Sequence, residues 1–291
     1  MKQKKSPYLA TCTVVLIILA ILFIFPLYWI VTGSVKDKTD ILIKAGQAVQ
    51  WFPLSPTGTN YDKLMNTTIA WPLFGAAFRV PAAVKWLFNS VFISVMAMLL
   101  TCVTASLAGY TLAKKQFYGK GFIFALFVCA MALPKQVILI PLVSLAKILG
   151  LSESAWSVIF PVVGWPFGVF LMKQFSETIP SSLLEAARID GASELRTFWD
   201  VAVPIIKPGI GALAIFTFIS AWNEYPLQLV MLHKTEVKTI ALGIAGLQAE
   251  MSTDYGLIMA GAALGAVPII IIFLLFQKYF TQGITMGAVK G

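Results

Sequence analysis

Side chains able to perform catalysis or bind a metal are few in this 291-residue sequence. His233 is the only histidine, and Cys12, Cys102 and Cys129 lie in apolar runs without the C-x-x-C spacing of a zinc or redox site. The sequence also lacks the G-x-x-x-x-G-K-[ST] loop that cradles nucleotide phosphates. We therefore expect no catalytic residue, no metal site and no cofactor bound by the chain itself.

Two ionisable residues stand out because they occur inside long apolar runs. Glu224 follows Trp222 and Asn223, and Lys135 follows Pro134. An ionisable group in hydrocarbon is costly, so such residues face the interior of a helix bundle or a water-filled cavity. Lys135 has two interpretations: it lines a cavity beside a proline kink, or its long side chain extends to the water interface.

The composition predicts the elements that hold these residues. Hydrophobic residues make up 58% of the chain and charged residues 12%, with a mean hydropathy of +0.84, whereas soluble domains carry roughly 25% charged residues. A membrane helix needs about 20 apolar residues. Six runs reach this length, and they are solid rather than alternating, which disfavours an outer-membrane barrel. The fold class is therefore an all-α polytopic membrane protein with six transmembrane helices, at residues 8–35, 86–113, 121–146, 154–172, 208–232 and 255–277.

Charge predicts the orientation. With the N-terminus inside, the cytoplasmic segments hold twelve basic and five acidic residues, and the outside segments hold nine basic and seven acidic. This bias favours an N-in/C-in topology and explains the net charge of +9 without a nucleic-acid partner. The expected segments are a tip with a retained first helix (1–35), an irregular extracytoplasmic loop (36–85), a five-helix core (86–282) with a cytoplasmic loop (173–207), and a cytoplasmic tail (283–291).

The cytoplasmic loop has the most specific local signals. Ser182 and Glu185 have the spacing of a capping box, Asp190-Gly191 predicts a turn, and Ser193 suits the start of a second helix. Two such short helices are unstable alone, so they must dock on another surface. Without further information, an amphipathic connector lying on the membrane is an equal interpretation. The apolar residues expected to share one surface are Leu183, Leu184, Ala187 and Leu195, and Pro208 is expected in the first turn of the fifth span.

The stretch "EAARIDGAS" resembles the EAA motif of ABC importer permeases. Glu185, Ala186, Ala187 and Gly191 match it, and the closing Val201–Pro204 segment has valine where that family usually has leucine. Asn89-Ser90, "AWNEY" and the terminal "GITMGAVKG" are similar to the carbohydrate, MalG-like branch, and the resemblance covers residues 8–291.

The resemblance implies partners. In that family the EAA loop is a coupling helix seated on a cytoplasmic ATPase, and ATPase closure switches the membrane cavity between its two faces. Partners would be a second, MalF-like permease, two ATPases that carry ATP and Mg²⁺, an extracytoplasmic solute-binding protein, a sugar and the lipid bilayer of the cytoplasmic membrane. The implied coupling residues are Glu185, Ala186, Ala187, Arg188, Asp190 and Gly191. The implied ATPase-contacting tail residues are Gly287, Lys290 and Gly291, against the alternative of a frayed terminus.

The resemblance also implies a sugar path, for which the candidates are Trp222, Asn223, Glu224 and Lys135. Glu224 either binds sugar hydroxyls or makes a structural contact between helices. An alternative substrate is glycerol phosphate or another polyol, although a phosphate would require several basic groups and Lys135 is the only one inside a predicted span. A stand-alone secondary transporter is a remote alternative, because the sequence has one acid in a span and no evident inverted repeat.

Overall fold

A computed structural model describes residues 7–41, 48–73, 76–250 and 254–288. Four of the described helices are long and apolar enough to cross a membrane, and six spans result if each of two bent helix pairs counts as one. The helices are α1 (Pro7–Ser34), α2 (Lys38–Ile41), α3 (Thr59–Asn66), α4 (Ala82–Lys114), α5 (Lys120–Met131), α6 (Leu139–Ile148), α7 (Trp156–Val163), α8 (Phe167–Glu177), α9 (Ser181–Ile189), α10 (Glu194–Thr197), α11 (Val203–Trp222), α12 (Tyr225–Met231), α13 (Ile240–Glu250) and α14 (Tyr255–Ala288).

Residues 36–85 contain more regular structure than the irregular loop that the sequence predicts. Helices α2 and α3 lie in this segment, and strands β1 (Thr68–Leu73) and β2 (Ala76–Pro81) pair antiparallel with Thr68 opposite Pro81. The all-α prediction is therefore wrong at this hairpin, although the rest of the described structure is helical. Each strand contains a proline, Pro72 in β1 and Pro81 in β2. Because proline cannot donate to a sheet ladder, these residues argued against strands in the sequence.

The chain divides into two compact units, the first of which contains residues 1–85 and 243–267. In this unit the buried Asn60 amide donates to the carbonyls of Ser34 (2.9 Å) and Lys36 (2.8 Å), at the end of α1. Lys63 Nζ lies 2.8 Å from the Asp254 carboxylate. Polar contacts from α3 thus satisfy the carbonyls that helix termination leaves without partners.

The second unit contains residues 86–242 and 268–291. Two of its membrane-length segments are interrupted. The helix axes bend by 98° between α5 and the segment Lys135–Ile148, and by 41° between α7 and α8. Pro134 and Pro166 stand at these breaks, where the missing N–H and the fixed φ of proline favour the end of one helix and the start of the next.

The fifth predicted span needs correction at both ends. One continuous helical segment runs from Glu194 to Trp222 through α10, a π-helical turn (Phe198–Ala202) and α11. The sequence placed the helix at 208–232, but the chain leaves it at Asn223, so Pro208 lies inside the helix rather than in its first turn. The C-terminal boundary differs too: α14 continues to Ala288, so residues 283–288 prolong a helix instead of forming a separate tail.

Gly109 brings α4 into close contact with α8. A Cβ atom at this position would lie 2.6 Å from the backbone nitrogen of Lys173 and 2.7 Å from the carbonyl carbon of Met172. Real Cβ atoms do not approach backbone this closely, so the helices would have to separate.

We expect Gly109→Ala to lower the thermal unfolding temperature, because such overpacking costs ~1–3 kcal/mol. The matched control is Gly121→Ala in α5, where a Cβ atom meets nothing within 4 Å; there, alanine should be neutral or stabilising because it is the better helix former. The measurement is thermal unfolding of both purified variants in detergent. Equal unfolding temperatures for the two variants would contradict this description of the α4–α8 contact.

Candidate functional site

The segment 177–200 folds as the helix, glycine turn and helix that its sequence predicts. Gly191 has a φ of +77°, which glycine adopts without strain. It directly follows Asp190, the C-cap residue of α9. Ser193 accepts a hydrogen bond from the backbone N–H of Arg196 (3.3 Å) and so caps α10. The predicted capping box of Ser182 and Glu185 is wrong, since α9 begins at Ser181 with Pro180 at its N-cap and no side chain caps it.

Helix α9 is held to the rest of its unit by an apolar anchor. Leu184 is buried in a cluster that includes Ile179, Tyr110 and Phe198. At the α8–α9 connection, Lys114 Nζ donates to the carbonyl oxygens of Glu177 (3.0 Å) and Ile179 (2.6 Å). The end of α4 and the start of the Glu194–Trp222 helix therefore fix the base of this short helix.

Charged side chains cross the glycine turn. Glu194 forms an ion pair with Lys115 and a second one with Arg188 (3.3 Å). Glu194, at the start of α10, thus contacts α9 through Arg188 and the residue that follows α4 through Lys115.

The outer surface of α9 is exposed. Glu185, Ala186, Arg188, Asp190 and Gly191 all lie on it, with Ala187 half-buried. Large apolar residues share this exposure: Ile189 is 86% exposed, Leu195 62% and Leu183 45%. The single apolar surface expected of Leu183, Leu184, Ala187 and Leu195 is therefore divided, because only Leu184 enters the core. An exposed patch of apolar residues beside charged ones is typical of a docking surface.

A second site lies where three helix interruptions meet. One residue comes from each: Lys135 follows the break after α5, Trp165 lies between α7 and α8, and Glu224 lies between α11 and α12. Lys135 Nζ lies 3.0 Å from Glu224 Oε2 and 4.7 Å from the centre of the Trp165 ring. The sequence identified Lys135 and Glu224 separately; their pairing and the role of Trp165 depend on long-range contacts that it does not reveal.

Lys135 and Trp165 line a pocket of about 180 Å³ on one side and, with Glu224, a cavity of about 30 Å³ on the other. The side chain of Glu224 is 13% exposed and that of Lys135 is 34% exposed. The two charges therefore neutralise each other in a partly enclosed place, where the Lys135 ammonium group contacts Glu224. The residues of the larger pocket are Thr101, Lys135, Val162, Trp165, Phe167, Gly168, Leu213, Phe216, Thr217 and Ser220.

Two of the four candidate path residues, Trp222 and Asn223, make no contact with this ion pair that the structure records. Trp222 is buried and stacks on Phe218 (5.7 Å between ring centres), and the exposed Asn223 amide donates to the Ile219 carbonyl (3.0 Å). Both make local helix contacts and neither lines the two cavities. The buried Gln228 Nε2 donates to the Ala221 carbonyl (3.0 Å), which also accepts from the backbone N–H of Glu224 (3.4 Å), so this side chain ties α12 to the end of α11.

The three tail candidates remain predictions. Gly287 is a helical residue of α14, and Lys290 and Gly291 lie outside the described residues. Among the residues that the structure describes, no three His, Cys, Asp or Glu side chains come together as a metal site would require.

Known structures with this fold include subunits of transporters. The chain is similar, at 21% identity and a TM-score of 0.77, to a chain in the crystal structure of a bacterial ABC transporter involved in the import of the acidic polysaccharide alginate, with coverage of 96% of this chain and 99% of that one. It is also similar to a chain in the MetNI methionine ABC transporter, at 17% identity and a TM-score of 0.54 over 69% of this chain and 96% of that one. At these identities the likeness concerns the fold alone.

Relatives and a family model give the sequence-level comparison. The arabinooligosaccharides transport system permease protein AraQ of Bacillus subtilis (strain 168) is 32% identical, over 98% of this chain and 97% of its own length. The melibiose/raffinose/stachyose import permease protein MelC of the same organism is 29% identical over 100% of both chains. Residues 105–286, which include α9 and the side chains of Lys135, Trp165 and Glu224, match the model named "Binding-protein-dependent transport system inner membrane component", and the chain belongs to this family of membrane transport proteins.

Proposed function

We propose that this chain is a permease subunit of an ATP-driven importer of oligosaccharides. The observation that carries the proposal is the exposed "EAARIDG" surface of α9, held rigidly at its base, in a chain that belongs to a transport family. Oligosaccharide import is supported by relatives whose names specify arabinooligosaccharides, galactooligosaccharides or melibiose, raffinose and stachyose. The chain itself performs transport rather than a chemical reaction.

The proposed topology has six spans in the cytoplasmic membrane, with both termini inside. The two bent pairs then serve as the third and fourth spans, and α9 lies on the cytoplasmic side. Apolar residues exposed along α1, such as Ile21 (66%) and Phe23 (75%), support contact with lipid or with another membrane subunit. The excess of Lys and Arg in the inside segments supports this orientation.

In the proposed mechanism, the Glu194–Trp222 helix transmits a displacement of α9 to the pocket that Lys135 and Trp165 line. Its 29 residues span about 43 Å at 1.5 Å per residue. One end carries the Glu194 ion pairs next to the docking surface, and the other end stops at the break that holds Glu224. Displacement of α9 by an ATPase would therefore move one wall of the Lys135–Trp165 pocket, as alternating access requires.

The partners in this proposal are a second, MalF-like permease, two ATPases and an extracytoplasmic solute-binding protein. ATP and Mg²⁺ belong to the ATPases. The tail residues Gly287, Lys290 and Gly291 are proposed to reach the ATPases as well. Glycerol phosphate or another polyol is the less supported substrate, because Lys135, the one basic residue of the described pocket lining, already pairs with Glu224.

Glu185→Lys should reduce uptake at least tenfold while the complex still assembles, because the exposed carboxylate is proposed to face the ATPase. The measurement is uptake of a neutral oligosaccharide that the wild-type complex transports, with subunit levels in the membrane measured by immunoblot. Asp62→Lys, which reverses an exposed charge on α3, is the control and should transport normally. Wild-type uptake by the Glu185 variant would refute the proposed contact.

Glu194→Gln should loosen α9, because it weakens both ion pairs across the glycine turn. We expect backbone amides of residues 186–192 to exchange hydrogen about two- to fivefold faster, as for exposed ion pairs worth ~0.5–1 kcal/mol. Hydrogen–deuterium exchange by mass spectrometry measures this change. Asp200→Asn, which breaks the exposed Arg196–Asp200 pair, is the control and should leave the exchange of α9 unaltered. Unchanged exchange in the Glu194 variant would show that the Glu194 ion pairs do not hold the helix.

A further inference from the structure

The pocket of about 180 Å³ at the two helix interruptions that contribute Lys135 and Trp165 has the features of a built binding site. Irregular backbone at membrane depth is tolerated only where it is buried in protein or lines a water-filled cavity. Here the breaks that contribute Lys135 and Trp165 face one pocket, while Thr101 reaches it from α4. Two interruptions that meet at one pocket are costly unless the pocket is used.

The lining has the mixture of groups that binds sugars. Hydroxyl groups come from Thr101, Thr217 and Ser220, and an aromatic face comes from Trp165. A sugar ring offers hydroxyls for hydrogen bonds and an apolar C–H face for aromatic contact, so this combination suits it better than it suits a purely apolar ligand.

Thr101 supplies an independent indication of a ligand. Its side chain is 3% exposed, and its Oγ1 atom has no hydrogen-bond partner among the described residues. A buried hydroxyl without a partner costs free energy, and native structures pair such groups with protein, water or ligand. Thr101 thus places a polar group without a described partner in the wall of the pocket.

The charge of the pocket determines which sugar fits. Lys135 is the only cationic residue among the described lining residues, and its ammonium group pairs with Glu224 at 3.0 Å. The same Lys135 ammonium group lies 4.7 Å from the centre of the Trp165 ring. An acidic sugar would need a free cation, and the one present is already neutralised.

We infer that this pocket is a sugar subsite contributed by this chain, and that Glu224 sets its preference for uncharged over acidic sugar units by neutralising Lys135. Glu224 acts here through Lys135, so it is a specificity-determining residue that need not touch the sugar. The inference rests on the proposed function, since it names the substrate class that the same permease accepts.

The test is direct sugar binding to the purified, detergent-solubilised complex without its solute-binding protein, so that the binding protein's own selectivity does not enter. The probes are arabinotriose, which is neutral, and trigalacturonate, which is acidic. Wild type should bind arabinotriose more tightly. Glu224→Gln should raise the affinity for trigalacturonate relative to arabinotriose by about tenfold, because the Lys135 charge is released.

Two further variants keep the inference testable if Glu224→Gln does not assemble. The double variant Lys135→Gln/Glu224→Gln is neutral again and should restore the wild-type preference. Thr101→Val keeps the side-chain shape but removes the hydroxyl, and it should weaken arabinotriose binding. Asp254→Asn is the control, because it releases a lysine, Lys63, in the other unit and should change neither affinity.

An unchanged preference in Glu224→Gln, or no binding of either probe to wild type, would overturn the inference and leave the ion pair as a structural contact. Sugar uptake by the wild-type complex with its binding protein is measured in parallel. Uptake without pocket selectivity refutes this subsite alone, whereas an absence of uptake for every oligosaccharide tried refutes the proposed function.

Discussion

The structure depends on one constraint: the hydrocarbon interior of a membrane offers no water to charges or to free backbone groups. Most of the chain satisfies it with long apolar helices. Where helices break near Lys135, Trp165 and Glu224, the protein supplies the partners itself: an ion pair, an aromatic ring and the Gln228 amide on the Ala221 carbonyl. The helix breaks and the partly buried ion pair, which are costly inside a membrane, are thus concentrated around Lys135 and Glu224, where a path for a polar substrate would be expected.

Transport also requires a mechanical connection between these helix breaks and the surface of α9. The Glu194–Trp222 helix provides it, since one of its ends lies beside the glycine turn and the other beside Glu224. The base of α9 is anchored by Leu184, which packs in the cluster that contains Tyr110 and Phe198. The outer residues Ile189 and Leu195, by contrast, remain exposed. A helix that is rigid at its base and apolar on its outer surface suits the transmission of a movement from a docked partner.

Much of this account can be predicted from sequence because its causes are local. Apolar length predicts membrane helices, and Asp190-Gly191 with Ser193 predicts the turn and the second helix. The remainder depends on contacts distant in the chain. No local pattern indicates that Lys135 meets Glu224, 89 residues away, or that Trp165 lies beside them. Local signals can also mislead: α9 has Pro180 at its N-cap, two residues before the N-cap that the spacing of Ser182 and Glu185 suggests.

The central claim is that the outer surface of α9 docks on an ATPase, and site-specific photo-crosslinking in membranes tests it most directly. A photoreactive amino acid would replace Ile189, which is 86% exposed on α9, and in a control Leu54, which is 81% exposed in the segment placed on the opposite side of the membrane. The account predicts that mass spectrometry identifies a nucleotide-hydrolysing ATPase in the adduct from position 189 and none from position 54. An intact complex without an ATPase adduct at position 189 would contradict it.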